Sequence, residues 1–215
     1  MTGKLLRQYV IDELDFDPSF DSANVGVAVE NGVVTLTGHV GSYAEKIAAE
    51  KAAQRVKGVH AVAQEIEVRY PEQKKTADDQ IAECAVAIIG WDAMVPVDAV
   101  MVKVQKGWVT LTGNVEWQYQ RTAAESAIRR LSGVIGVTNL IEVKPRIQPQ
   151  NIKAKIMEAL KRNAELEADS IRVTVKDDKV TLEGRVKAWF ERGIAERTAW
   201  SAPGVKSVED RLSIF

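Results

Sequence analysis

Few side chains in this sequence have the types and the spacing that chemistry at a site requires. A metal ion needs several histidine, cysteine or carboxylate ligands close together, and the chain has two histidines, His39 and His60, and one cysteine, Cys84. Cys84 could act as a nucleophile only beside a base, and no histidine occurs in its own segment of the chain. The histidines are expected at exposed strand or loop positions, and Cys84 as a packed or idle thiol.

Paired carboxylates are the other residues that could carry acid-base chemistry. They occur at Asp78-Asp79, where a helix is predicted to begin, and at Asp177-Asp178, at the predicted tip of a hairpin. At those places carboxylates serve helix capping, the helix dipole and turn formation. The sequence also lacks the histidine, cysteine and serine strings typical of metalloproteases, redox proteins and hydrolases. We therefore predict no catalytic residue, no metal, no cofactor and no enzymatic activity.

A short string occurs three times and shows how the chain is organised. The copies are V-T-L-T-G-H-V, V-T-L-T-G-N-V and V-T-L-E-G-R-V, with their glycines at Gly38, Gly113 and Gly184. A second glycine, followed by valine, comes twenty residues after each of them, at Gly58, Gly133 and Gly204. Identical spacing in three copies indicates one small module used three times, which favours binding over catalysis.

The first copy predicts the elements of a module. Apolar residues at helical spacing come first, then two alternating runs around Asn31-Gly32, which is the strongest hairpin signal. Ser42 with Glu45 predicts a capping box before an alanine-rich helix, and Gly58 lies where a helix end needs a left-handed residue. We predict three modules at 1–70, 78–143 and 151–215, separated by linkers at 71–77 and 144–150.

The predicted fold class is therefore α+β, with three tandem α-β-β-α-β modules. The hairpin is antiparallel, and the second and third strands, which a helix joins, should be parallel. Each module is then a small mixed three-stranded sheet with two helices on one face. Alternation within the repeat places Gly38 on the apolar face, so we expect it to let the covering helix approach the sheet closely. No copy has the glycine pattern of a nucleotide-binding loop.

The whole pattern resembles the BON domain, named for bacterial osmotic-shock and nodulation proteins. The resemblance rests on the valine hairpin, the V-T-L-x-G-x-V string, the alanine-rich helix and the later Gly-Val, in all three copies. It implies a module without known catalysis, in proteins of the envelope or the stress response. The implied roles are phospholipid binding, protection of membranes and protein interaction. Many members carry a leader and two modules, and this chain departs on both counts.

Charge and composition indicate which classes of binding partner and which cellular compartment are expected. The net charges of the three modules are -3, -3 and +2, too low for a nucleic-acid-binding protein. The start of the chain lacks the apolar run of a signal peptide, and no apolar run is long enough to cross a bilayer. We expect a cytoplasmic protein, or a periplasmic one if a leader has been removed.

The middle module departs from its own template. Its first helix is apolar nearly all round, and the loop that follows is also apolar where the other copies carry carboxylates. Such a surface calls for a cover, which could be a flanking module, a second protomer or a lipid headgroup region. We predict an interaction surface at Ile88, Trp91, Met94 and Val95. It would dock on a partner protein or on an anionic phospholipid membrane, or be permanently buried between modules or protomers in a structural scaffold.

Aromatic residues recur where the second helix of each module begins. Trp117 and Trp189 occupy this place in the second and third copies. They could form a cap over the seam between helix and sheet, or a row of contacts repeated along the protein. We include both in the predicted interaction surface.

Overall fold

The structure is a computed structural model that describes residues 3–71, 76–145, 151–163 and 166–214. Over these residues the chain has the predicted α+β fold, with three repeated modules of two helices and a three-stranded sheet. The predicted linkers, 71–77 and 144–150, lie largely outside the described residues, and the exact module bounds stay a prediction.

Each module repeats one order of elements. The first contains α1 (Gly3–Phe16), β1 (Val25–Glu30), β2 (Val33–Val40), α2 (Tyr43–Arg55) and β3 (Ala61–Val68). The second contains α3 (Asp78–Trp91), β4 (Val100–Gln105), β5 (Trp108–Val115), α4 (Gln118–Ile128) and β6 (Gly136–Val143). The third contains α5 (Ile152–Arg162), β7 (Ile171–Lys176), β8 (Lys179–Val186), α6 (Trp189–Trp200) and β9 (Ser207–Ile214).

The chain divides into two compact units, and the division passes through the middle module. The first unit consists of Met1–Ile88, Val102–Thr110 and Ser126–Thr138. The second consists of Ile89–Met101, Leu111–Glu125 and Asn139–Phe215. The first module thus belongs to the first unit and the third module to the second.

The hairpins and the sheets follow the prediction. Asn31 and Gly32 both have positive φ, 49° and 80°, as a two-residue turn between twisted strands requires. Strand β1 pairs antiparallel with β2, and β2 pairs parallel with β3. The third sheet has the same two pairings, and the middle sheet has the same strand order.

One face of each outer sheet packs against both helices of its module. In the first module Leu6, Val10 and Leu14 of α1 join Val34 and Leu36 of β2 in one buried cluster. Helix α2 contributes only alanines to this cluster, and the buried ones are Ala49, Ala52 and Ala53. Because alanine is small, it is these helix residues that let α2 lie close to the sheet.

The repeat glycine has a different role from the one predicted. Gly38 is exposed, has φ of 103°, and a Cβ built on it would lie 2.0 Å from the carbonyl oxygen of Asn24. Gly113 and Gly184 show the same conflict with the segment that leads into the first strand of their sheet. The prediction that Gly38 lets the covering helix approach the sheet is therefore wrong, because the atoms nearest to an added Cβ belong to the backbone of Asn24 and Val25 and not to a helix. Glycine is needed because the backbone has positive φ and passes another backbone too closely for any side chain.

The remaining repeat glycines follow the second helix of each module. Gly58, Gly133 and Gly204 have φ of 95°, 86° and 86°, so the predicted left-handed conformation is confirmed. The helix cap itself lies earlier, at Val56 in the first module.

Each second helix begins with the same side-chain latch. Ser42 accepts a hydrogen bond from the Glu45 amide at 3.2 Å, which confirms the capping box, and Glu45 reaches back to the Gly41 amide at 3.0 Å. Gln120 and Glu191, at the same place in the other modules, accept from the amide four residues before them. The latch satisfies a backbone donor between strand and helix that would otherwise lack a partner.

The third strand of each sheet carries a polar side chain that bonds to its own backbone. Gln64 accepts from the Ile66 amide at 3.0 Å, and Asn139 and Asp210 accept from the amide two residues after them. The Lys46 ammonium of α2 donates to the Ile66 carbonyl oxygen at 2.6 Å. Side chains therefore occupy backbone groups on this edge strand that a further strand would otherwise use.

Asp78 has a second role besides the predicted one at the start of α3, because it also binds the hairpin of its module. Its carboxylate accepts hydrogen bonds from the Lys106 amide at 2.6 Å and from the Gly107 amide at 2.8 Å. These two residues form the turn between β4 and β5. The carboxylate therefore ties the beginning of α3 to the hairpin of its own module.

Candidate interaction surface

The first helix of the middle module, α3, is buried along one side. Ile81, Ala85 and Ile89 lie in the core, whereas Val86 and Trp91 are exposed. A helix that is apolar all round is normally covered on more than one side. The exposed side of α3 is therefore apolar, and an apolar surface there is the feature from which the sequence predicted a binding partner.

The loop after α3 is fixed by Asp92. The Asp92 amide donates to the Ile89 carbonyl oxygen at 3.2 Å, and its own carbonyl oxygen accepts from the Val95 amide at 3.0 Å. Its carboxylate accepts from the Met94 amide at 2.8 Å. Three hydrogen bonds thus hold a tight turn, so the side chains on either side of it are presented in a defined arrangement.

The predicted surface residues do not all lie on the outside of this loop. Trp91 is 90% exposed and Met94 is 60% exposed, while Ile88, one turn before Trp91 on α3, is half-buried. Val95 is only 6% exposed. Its inclusion in the docking surface is therefore corrected: Val95 anchors the loop to the module.

The sequence interpretation missed exposed apolar residues that the repeat could have revealed. Phe16 stands at the same repeat position as Trp91 and is 83% exposed, and the buried Phe20 stands where Val95 does. In the middle module Val97 and Met101 are also exposed. We define Trp91, Met94 and Val97 as the apolar tip of this module.

Trp117 and Trp189 lie at the beginnings of α4 and α6, and each is half-buried. The Trp117 amide donates to the Gln120 side chain at 3.0 Å, as part of the latch of that helix. The Arg192 guanidinium lies 5.5 Å from the centre of the Trp189 ring, in a cation–π contact, and also pairs with Asp210. The contacts of Trp189 with Arg192, and of Arg192 with Asp210, favour a cap over the helix-sheet seam for this residue, while the role of Trp117 stays a prediction.

A further contact joins the end of the first module to the middle module, inside the first compact unit. The Tyr70 hydroxyl donates to the Val134 carbonyl oxygen at 2.9 Å, and the Leu131 carbonyl oxygen lies 3.4 Å away. Burial raises the pKa of Tyr70 above its usual value. Nothing in the sequence pattern indicated this contact, because it depends on how two modules meet.

Two kinds of feature are absent from the described residues, a membrane-spanning helix and a cluster of metal ligands. In that part of the chain, no helix is long and apolar enough to cross a bilayer. The same residues contain no group of three or more histidine, cysteine or carboxylate side chains placed to hold a metal ion.

The module architecture and the repeat agree with a known family. The BON domain matches this chain at residues 4–70, 77–145 and 149–214. The chain belongs to the BON domain family. The three modules are therefore BON modules, and the resemblance noted in the sequence is confirmed.

The chain is also similar to individual proteins, with sequence identities between 10% and 34%. Osmotically-inducible protein Y of Escherichia coli (strain K12) is 34% identical over 127 residues, which make up 57% of this chain and 63% of that protein. The chain thus matches less than two thirds of the length of that relative. Two structures of CdsD, a structural protein of the type III secretion system of Chlamydia trachomatis, were also found. The first covers 97% of this chain and 91% of its own at 13% identity, with a TM-score of 0.27. The second, of the C-terminal domain, covers 100% of each chain at 10% identity, also with a TM-score of 0.27.

Proposed function

We propose that this protein is a non-enzymatic binding protein of the osmotic stress response that docks on phospholipid surfaces through the apolar tip of its middle BON module. The observation that carries the proposal is the 90% exposure of Trp91, at the end of α3 and beside a loop held by Asp92. Membership of the BON family and the similarity to an osmotically inducible protein support the biological setting.

The chemistry of the tip suits the boundary between lipid headgroups and acyl chains. Tryptophan favours this boundary because its ring is apolar and its N–H is polar. Met94 and Val97 add apolar surface beside it, and full burial of a side chain of this size stabilises by about 1.5–3 kcal/mol. Because the turn around Asp92 is already formed, little conformational entropy is lost when the tip inserts.

The charges beside the tip indicate how such binding would depend on salt. Asp92 lies next to Trp91, and Asp98 is exposed at the end of the loop. Two carboxylates oppose an anionic surface, so burial of apolar side chains rather than charge must supply the attraction. We therefore expect binding that changes little between low and high salt.

Co-sedimentation of the full chain with vesicles tests the proposal. Vesicles of phosphatidylcholine alone, and of phosphatidylcholine with phosphatidylglycerol, would be compared across salt. Trp91→Glu should lower the bound fraction at least about tenfold, because a charge replaces the inserting ring. The matched control is Phe16→Glu, at the same repeat position in a loop with Ser19 and Ser22, which should keep most of the binding. Equal binding of the wild type and Trp91→Glu would refute the lipid role of the tip.

A partner protein is the second candidate. The observation that favours it is the pair of carboxylates at Asp92 and Asp98, because an apolar centre with a charged rim is typical of protein interfaces. Absence of vesicle binding by the wild type would shift the proposal to this candidate. In the scaffold alternative, where the surface is permanently buried, Trp91→Glu would instead lower the melting temperature.

The remaining expectations from the sequence stay predictions. They are the cytoplasmic location, with the periplasm as its alternative, and the absence of an enzymatic activity, a cofactor, a bound metal or a nucleic-acid partner. Homo-oligomer formation was also left open by the sequence, and the charges of the sheets bear on it.

A further inference from the structure

The sheets of the outer modules each have a face turned away from the helices. In the first module the open face carries small residues, Gly26 and Ala28 on β1 and Ala61 and Ala63 on β3. We name this surface the acidic face, because its charged residues are mostly glutamates. Over the described strands and the residue that follows β3, these are Glu30, Glu65, Glu67 and Arg69, with a net charge of -2.

The third module has an open face of the opposite sign, which we name the basic face. The charged residues on this face are Arg172, Lys176, Lys179, Glu183, Arg185, Glu209 and Arg211, with a net charge of +3. Asp210 of β9 is not counted, because it pairs with Arg192 of α6 on the helix side of the sheet. Part of this charge is balanced inside the face: Lys179 pairs with Glu209 at 2.5 Å, and Arg211 with Glu209 at 2.6 Å. The excess positive charge is carried by Arg172, Lys176 and Arg185, all exposed.

The sign change occurs at matching positions of the repeat. Glu30 and Lys176 both end the first strand of their hairpin. Glu65 and Arg211 both occupy the fifth residue of the third strand. Two surfaces with one backbone geometry therefore carry opposite charges. The acidic face also has small residues at Gly26 and Ala63, where the basic face has Arg172 and Glu209.

We propose that the acidic face of one copy of this chain docks on the basic face of a second copy. Two sheets pack face to face at a separation of about 10 Å, and the small residues of the acidic face leave room for the aliphatic stems of the arginines. Opposite charges fix which face meets which. Because every copy carries both faces, the contact closes into a dimer when both pairs engage, or extends into a row of copies when one does. The apolar tip takes no part in it.

Charge reversal tests the contact in the full chain by sedimentation velocity. The acidic-face variant is Glu30→Lys/Glu65→Lys, and the basic-face variant is Arg172→Glu/Lys176→Glu, which leaves the ion pairs of Glu209 in place. The wild type should self-associate at about 50 mM salt and at least about tenfold more weakly at about 500 mM. Each variant alone should associate at least about tenfold more weakly than the wild type.

Mixing the two variants is the decisive measurement. The reversed face of each then meets a complementary face on the other, so an equimolar mixture should associate although neither variant does alone. The control Asp12→Lys/Glu83→Lys makes the same change in net charge as the acidic-face variant, on exposed positions of α1 and α3, and should associate like the wild type. Circular dichroism of each variant checks that the modules stay folded. A wild type that is monomeric at all concentrations, a mixture that fails to associate, or an equal loss in the control would each overturn the proposal.

Discussion

Phe16 and Trp91 occupy the same position of the repeat, at the end of the first helix of their modules, and both are almost fully exposed. The loops after them are built alike: Asp17 and Asp92 each accept an amide two residues ahead, and Phe20 and Val95 each anchor the loop in the core. The difference lies in the exposed neighbours, which are Ser19 in one loop and Met94 in the other. A shared scaffold thus presents one exposed aromatic ring among polar neighbours in the first module and a group of apolar side chains in the next.

Thermal stability should separate the exposed residues of this loop from its anchor. Trp91→Ala should change the free energy of unfolding by no more than about 0.5 kcal/mol, because the side chain is exposed. Val95→Ala removes two buried methyl groups and should cost about 2 kcal/mol. Chemical denaturation followed by circular dichroism measures both. A large loss of stability in Trp91→Ala would show that the ring is buried in the native protein and would favour the scaffold alternative.

The repeat glycine should tolerate no side chain. Gly113 has φ of 133°, and an added Cβ would lie 2.0 Å from the carbonyl oxygen of Ala99, so Gly113→Ala should cost at least about 2 kcal/mol. Gly90 is the control: it lies in α3 with no atom within 4 Å of an added Cβ, so Gly90→Ala should stabilise by about 0.5–1 kcal/mol. Denaturant titrations measure the unfolding midpoints of both variants. A shift of the two midpoints in the same direction would contradict the role assigned to Gly113.

The Asp78 carboxylate should hold the middle hairpin. Asp78→Ala leaves the amides of Lys106 and Gly107 without their acceptor and should cost about 1–2 kcal/mol. Asp79→Ala is the matched control, because within the described part of the chain the Asp79 carboxylate accepts from the adjacent Gln80 amide and not from the hairpin. Amide hydrogen exchange should speed up at Lys106 and Gly107 in the first variant alone. Unchanged exchange there would mean that the carboxylate does not hold the turn in solution.

The first module should lose stability in acid through Asp17. Hydrogen bonds from Arg55 and Ser19 lower the pKa of Asp17 from 3.8 to about 2. A carboxyl group whose pKa is lower in the folded state stabilises the protein above its unfolded pKa, and this stabilisation is lost as pH falls from about 4 to about 2. Since Arg55 is half exposed, the effect should stay within about 1 kcal/mol. Asp17→Asn should flatten the dependence of stability on pH in this window, and a dependence as steep as that of the wild type would contradict the assignment.

The sequence correctly predicted features that depend on residues close together in the chain. Predictions failed where a feature depends on two segments that are distant in the chain. Asn31-Gly32 and the Ser42–Glu45 pair were interpreted correctly because turn geometry and helix capping depend on residues close in the chain. The role predicted for Gly38 was wrong because alternation along one strand does not show which other segment lies against that position. That segment includes Asn24, which precedes another strand.

The same distinction explains the outcome at the candidate surface. An apolar loop was recognisable from composition, but composition does not separate Val95, which points into the module, from Met94, which points out. Comparison with Phe20 at the same repeat position would have indicated the anchor. The Tyr70–Val134 hydrogen bond had no sequence signal, since neither residue is unusual for its own segment.

The side chains that occupy the third strand of each sheet limit how these proteins can aggregate. An unprotected edge invites strands of other molecules to add one after another, and this hazard grows as water leaves a cell and its proteins become concentrated. With the Ile66 amide held by Gln64 and the Ile66 carbonyl oxygen held by Lys46, a foreign strand cannot be paired there without first breaking those bonds. The edge formed by the third strand of the first sheet is thus protected against strand addition under the crowding that accompanies dehydration.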